Sequence, residues 1–275
     1  MKTMKKISIK KRIKFKPSLL SGLIVAIAVP LCAYLRRLFK FSLDVQVSVW
    51  ELGDPGIEQY FDYDLSFLVN IISMGLILNL IFWIAFKLLH RHVQGKKRDL
   101  LLIEFIAVAV ILVSAMGVVF HWGFDRANGF YKDQYGMDTS NLYLYLYWGD
   151  EYLGHALQET TILGYFMILV WMEQLVEFEK KITLKDIPWV AGIAASLAIS
   201  TGYAAFKSES AMLMFIVAII MLTIEIIYIV IKKVNILKKP LLVSTLIGNA
   251  AVIVQVSIFI AISGLLPFYP WLRPA

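Results

Sequence analysis

Residues 211–231 read AMLMFIVAIIMLTIEIIYIVI, twenty-one positions with a single charge, Glu225. A helix that is apolar on every face is stable only where its surroundings are apolar too. About 20 such residues is the length needed to cross the hydrocarbon core of a bilayer. This stretch therefore predicts a transmembrane helix and sets the solvent for the rest of the chain.

Six further stretches of the same kind lie along the 275 residues: Pro17–Leu35, Leu65–Leu89, Leu100–His121, Tyr152–Gln174, Ile187–Phe206 and Leu241–Leu265. Hydrophobic residues make up 59% of the chain and charged residues 17%. Soluble domains average about 45–50% and about 25%, so a soluble or disordered chain does not fit. The expectation is an all-α polytopic membrane protein, a bundle of seven helices forming one domain over 17–275 behind a basic segment 1–16. The lone cysteine, Cys32, lies in an apolar run and reads as a small buried residue.

Charge gives the orientation. Cytoplasmic loops of membrane proteins collect Lys and Arg. The N-terminal sixteen residues hold eight of them and no acid; the loops after the second, fourth and sixth stretches hold five, three and four. The alternate side has seven in all, among them the discordant Arg36 and Arg37. This predicts a cytoplasmic N-terminus, an extracytoplasmic C-terminus and an uncleaved first span. The formal charge of +7 is then explained by anionic lipid headgroups, and a nucleic-acid arm is the weaker reading. Composition and short loops suit a prokaryotic plasma membrane.

Two outward segments stand out. Residues 36–64 are acidic, and within them Leu43, Val45, Val47 and Val49 alternate with polar residues. That is the period of a strand, or of an extended segment lying on the bilayer. Residues 122–150 read as a loop rich in rings, ending in LYLYLYW from Leu142 to Trp148. Such rings form an aromatic belt at the interface, or a wall against a lipid tail or quinone.

The chemistry-bearing residues gather where these outward segments meet the spans. His121 ends the third stretch, with Asp125 four positions on; Glu151, His155 and Glu159 are spaced by four at the start of the next, beside Asp150. Residues at i, i+4 and i+8 share a helix face. Glu159, two turns inside its helix, is costly in lipid unless it faces a cavity, a partner or a metal. Imidazole with carboxylate suits zinc, iron or manganese. The expected ligand candidates are His121, Asp125, Asp150, Glu151 and His155, with Glu159 as general base in a metal-dependent hydrolase or oxidase of a lipid or amphipathic substrate at the outer leaflet. The same residues also read more plainly: Asp150 and Glu151 favour a helix start, and His155 with Glu159 forms an ordinary i,i+4 pair.

Two other classes remain open. A cation or proton-coupled transporter would use the outer acidic cluster for entry, with Glu104, Glu225 and Asn79 at an inner site. A non-catalytic receptor or complex subunit would bind a protein through 36–64. The last stretch, 241–265, has neither a histidine nor a lysine, so it offers no retinal-bearing lysine and no His-x-x-x-His pair.

Overall fold

A computed structural model describes residues 16–38, 45–49, 59–63, 65–94, 97–135, 141–176, 181–203 and 210–263. The basic residues up to 15, most of the acidic loop and residues from 264 onward lie outside the described residues. The helices are α1 Pro17–Leu38, α2 Leu65–Asn70, α3 Leu78–His90, α4 Lys97–Tyr135, α5 Asn141–Tyr147, α6 His155–Gln174, α7 Ile187–Leu197, α8 Ala211–Lys232 and α9 Pro240–Ser263. Three π-helical stretches extend them: Ile71–Ile77 joins α2 to α3, Trp148–Gly154 joins α5 to α6, and Ala198–Tyr203 continues α7. A two-stranded antiparallel ribbon, β1 Val45–Val49 with β2 Gln59–Tyr63, pairs Val47 with Phe61. The alternation of Val45, Val47 and Val49 thus belongs to a strand.

Among the described residues, five helical segments are long and apolar enough to cross a membrane: Pro17–Leu35, Leu68–His90, Arg98–Gly129, Ala211–Lys232 and Pro240–Ile262. Their outer faces expose large apolar side chains, including Phe105 at 72%, Val230 at 68% and Ile262 at 80%. Apolar surface on that scale belongs against lipid. The described parts of the other two expected spans are helical as well, one shorter and the other less apolar. Residues 187–202 form a shorter apolar helix, and α6 carries Glu159 and Glu173.

The reason α6 is the least apolar is its place in the bundle. It packs against α1, α3, α4, α8 and α9, and Leu163, Tyr165, Phe166, Leu169 and Met172 are buried. A helix shielded by its neighbours meets protein on most sides, so its polar side chains find partners instead of lipid. Lipid tails are as apolar as leucine, so burial alone does little to join helices here; close small-residue crossings and buried hydrogen bonds do more. Ser196, whose hydroxyl donates to the Ala26 carbonyl at 2.6 Å, is one such tie between α7 and α1.

Described residues of the four basic segments meet at one end of the bundle. Lys16 Nζ lies 2.8 Å from Asp186 Oδ2 and donates to the Lys181 carbonyl at 3.0 Å. The Gln94 amide donates to Leu175, and the Ile182 amide to Leu237. Lys239 Nζ donates to the carbonyls of Glu173 and Val176, both at 2.8 Å.

One expectation changes. The aromatic segment 122–150 is not a loop along most of its length: α4 runs on to Tyr135 and α5 begins at Asn141. Its rings pack across this helical hairpin, Phe124 on Tyr145 at 5.8 Å and Tyr131 on Tyr143 at 6.2 Å between centroids. Ring pairs of this kind are worth about 0.5–1.5 kcal/mol beyond the area they bury, which favours two paired helices over an open loop.

Candidate metal centre

His121 stands 23 residues along α4 from Arg98, about 35 Å at the helical rise. That is roughly one hydrocarbon thickness, so the site lies at the end of the bundle opposite the basic segments. The antiparallel partner is the π stretch Trp148–Gly154 leading into α6. Two glycines let the arms touch. A Cβ on Gly154 would stand 2.5 Å from the Cα of His121, and one on Gly117 would stand 2.8 Å from the Cβ of Leu157. The Gln158 side chain also donates to the Gly117 carbonyl at 3.3 Å.

This crossing brings the two imidazoles together, their planes tilted by 53° and their ring centroids 4.1 Å apart. His121 Nδ1 lies 2.5 Å from Asp150 Oδ1, and the Asp150 side chain is only 4% exposed. His155 Nδ1 lies 3.8 Å from Glu159 Oε1, and its Nε2 lies 4.0 Å from Glu151 Oε2. The second oxygen of Glu159 accepts a short hydrogen bond from the Ser210 hydroxyl at the start of α8. The result is a file of polar groups, Asp150, His121, His155, Glu159 and Ser210, running from the hairpin into the bundle. The Trp122 ring closes one side of His121 at 4.8 Å.

One ligand atom from each of His121, Asp150 and His155 lies within 4.8 Å of the other two. Two imidazoles and a carboxylate are the donor set of catalytic zinc and of facial iron sites. At 2.5 Å the His121 and Asp150 atoms are closer than two ligands of one tetrahedral ion, which stand roughly 3.3 Å apart on bonds of about 2.0–2.1 Å. The donor set therefore fits an ion in either of two ways. The pair opens by under an ångström, or Asp150 orients the imidazole through Nδ1 and leaves Nε2 to ligate, as carboxylates behind ligating histidines do.

The expected residues are thus partly brought together. His121, Asp150 and His155 converge, and Glu151 and Glu159 flank His155. Asp125 follows His121 by one turn of α4 and is not part of the group of three. The α-helical stripe put Glu151 on the shared face, yet Asp150 is the residue that meets His121. The π stretch is the cause: its wider turn bonds i to i+5, so the position five before His155 comes round to that face.

Glu104 and Glu225 have separate partners. Glu104 pairs with Lys87 at 2.6 Å and His90 at 3.5 Å. Glu225 accepts from Asn249 at 3.2 Å, and the Tyr165 hydroxyl donates to Asn79. Glu173, which the sequence reading passed over, is fully buried and caps α9 from outside. Its two oxygens accept the amides of Leu241 and Leu242, both at 2.9 Å. A signal for it existed: an acidic residue ending an apolar helix, with Pro240 opening another, whose first amides lack intrahelical partners.

No family model, curated protein or solved structure matches this chain.

Proposed function

We propose that this chain is a membrane-embedded metalloenzyme, a hydrolase or oxidase acting on a lipid or other amphipathic substrate at the outer leaflet. His121, Asp150 and His155 hold a divalent ion, zinc, iron or manganese. The observation that carries the reading is the convergence of three ligand atoms within 4.8 Å from two helix arms joined by one hairpin.

The surroundings support it. Asp150 and Glu159 are almost fully buried, while His155 and Glu151 are 26% and 31% exposed at the side chain. Such a site is anchored on its inner side and open to a reactant on its outer side. Glu159 holds the His155 ring and is the nearest carboxylate able to take a proton from it. The paired rings of α4 and α5 offer an apolar flank suited to an acyl chain. A bound ion would supply Lewis acidity and a nucleophilic water for hydrolysis, or redox chemistry if it is iron or manganese. The meeting of the basic segments at the opposite end supports a seven-span topology in a prokaryotic plasma membrane, with that end in the cytoplasm.

The test is elemental analysis of the purified protein alongside His155→Ala and His92→Ala, the latter changing an exposed loop histidine. About one ion per chain is expected in the parent and in His92→Ala, and none in His155→Ala. A parent protein that holds no stoichiometric metal after purification and resupply of zinc, iron and manganese overturns the reading. Zinc would leave hydrolysis, since zinc has no redox chemistry.

A further inference from the structure

The buried face of α8 is a single stripe, Ala211, Met214, Ala218 and Glu225. Three of these are small or apolar; the fourth is a carboxylate. Its sequence neighbours Ile224, Ile226 and Ile227 are each about half exposed, so α8 is a peripheral helix that turns one acid inward. Glu225 lies seven residues from Lys232, about 10 Å along the axis and still within the hydrocarbon layer.

The partners of this acid are incomplete. Asn249 on α9 donates its amide to Glu225 Oε2 at 3.2 Å. Glu225 Oε1 and Asn249 Oδ1 are buried with no hydrogen-bond partner among the described residues. Both residues are nearly inaccessible, at 2% and 1%. The two orphans are both acceptors, so the site lacks a hydrogen or a positive charge. Turning the amide over would set acceptor against acceptor and still leave Oε1 bare, so the shortfall does not depend on how the amide is placed. Thr245, one turn from Asn249, places a hydroxyl beside Glu225, but that hydroxyl donates to the Leu242 carbonyl at 3.0 Å.

Among the described residues, nothing charged on the neighbouring elements fills the gap. α9 contains no ionisable residue, and the stretch 198–203 has Tyr203 alone. On α6, His155 belongs to the outer cluster, Glu159 is bonded to Ser210, Tyr165 to Asn79 and Glu173 to the start of α9. On α8 itself the other titratable groups are Tyr228, one turn away, and Lys232 at the helix end. A carboxylate in hydrocarbon with no counter-charge is strongly disfavoured.

We propose that Glu225, Asn249 and Thr245 form a buried, exchangeable site for one monovalent cation, a proton or a sodium ion. The site is separate from the His121–Asp150–His155 cluster and stands whether or not that cluster binds metal. It offers one negative charge and up to four oxygens, a set that neutralises a single positive charge and has no soft ligand for a transition metal.

The test is labelling of the full chain in lipid vesicles with dicyclohexylcarbodiimide, a lipophilic reagent that adds to protonated carboxyls, read by mass spectrometry. Glu225 is expected to be labelled and Glu225→Gln to give no label at that position. Above the site's midpoint, labelling should fall by roughly tenfold per pH unit. Suppression by sodium chloride, but not by choline chloride at equal ionic strength, identifies sodium as the occupant; pH dependence without a sodium effect identifies the proton. If sodium is the occupant, Thr245→Val should weaken its protection severalfold while leaving the label in place. Absence of label at Glu225 under every condition, or labelling indifferent to both pH and sodium, overturns the proposal in favour of a fixed hydrogen bond.

Discussion

Asp150 and His121 meet at 2.5 Å across the hairpin, 29 positions apart in sequence, and their partnership decides what kind of site this is. Asp150→Asn keeps the shape and removes the charge. If Asp150 orients the His121 ring, metal affinity should fall by about 10–100-fold, the usual cost of losing such a partner. If Asp150 ligates directly, no stoichiometric ion should survive purification. Competition against a chromogenic chelator distinguishes the two, and unchanged affinity would remove Asp150 from the site.

Gly154 is the second point of leverage. A Cβ there would overlap the backbone N and Cα of His121, and its Cβ, at 2.5–2.7 Å, and backbone cannot yield as a side-chain tip can. Gly154→Ala should destabilise the fold by about 1–3 kcal/mol, the usual cost of overpacking, and should release bound metal by parting the imidazoles. Gly192→Ala is the matched control, since nothing lies within 4 Å of a Cβ there and helix propensity favours Ala by up to about 1 kcal/mol. Reversible unfolding in mixed micelles checks both. Equal behaviour of the two variants would show that the crossing does not depend on close approach.

The parts of this architecture legible in the sequence were those set by solvent and charge. Lys16, Gln94, Lys181 and Lys239 lie in the basic segments that alternate along the chain, and the structure gathers these four residues at one end. The convergence of His121 with His155 was legible because both flank a single hairpin. What stayed hidden depends on backbone geometry and on neighbours. The exchange of Glu151 for Asp150 against His121 follows from a π turn that no spacing rule announces. The polarity of α6 marked a weak span by composition, whereas its cause is enclosure by five helices. Glu173 was overlooked because its partners, the amides of Leu241 and Leu242, are backbone groups more than sixty positions away.

Glu173 carries the clearest stability prediction. Its carboxylate satisfies two amides at the start of α9, and leaving a buried donor unsatisfied costs about 1–3 kcal/mol, more where the partner is charged. Glu173→Ala should therefore destabilise the protein by roughly 2–4 kcal/mol, with Glu173→Gln, which keeps one acceptor, falling between it and the parent. Hydrogen exchange should report the same loss locally, with Leu241 and Leu242 amides losing protection first. Unaltered exchange at both would show that the cap contributes little.

Asp186, in the turn before α7, gives the pH dependence at the basic end. Burial opposes its ionisation, but the Lys16 ammonium and the amide and hydroxyl of Thr183 more than offset this and hold the carboxyl below its ordinary value. A depressed folded-state pKa means that the carboxylate stabilises the fold fully above the ordinary carboxylate range. The contribution is lost progressively as pH falls from there through the lower folded value. Parent and Asp186→Asn should therefore differ most in thermal stability at neutral pH and converge in acid. Lys16→Met should remove most of the difference at neutral pH, because it leaves Asp186 without its counter-charge. A gap between parent and Asp186→Asn that persists unchanged into strong acid would show that Asp186 acts through packing and the Thr183 turn, with no contribution from its charge.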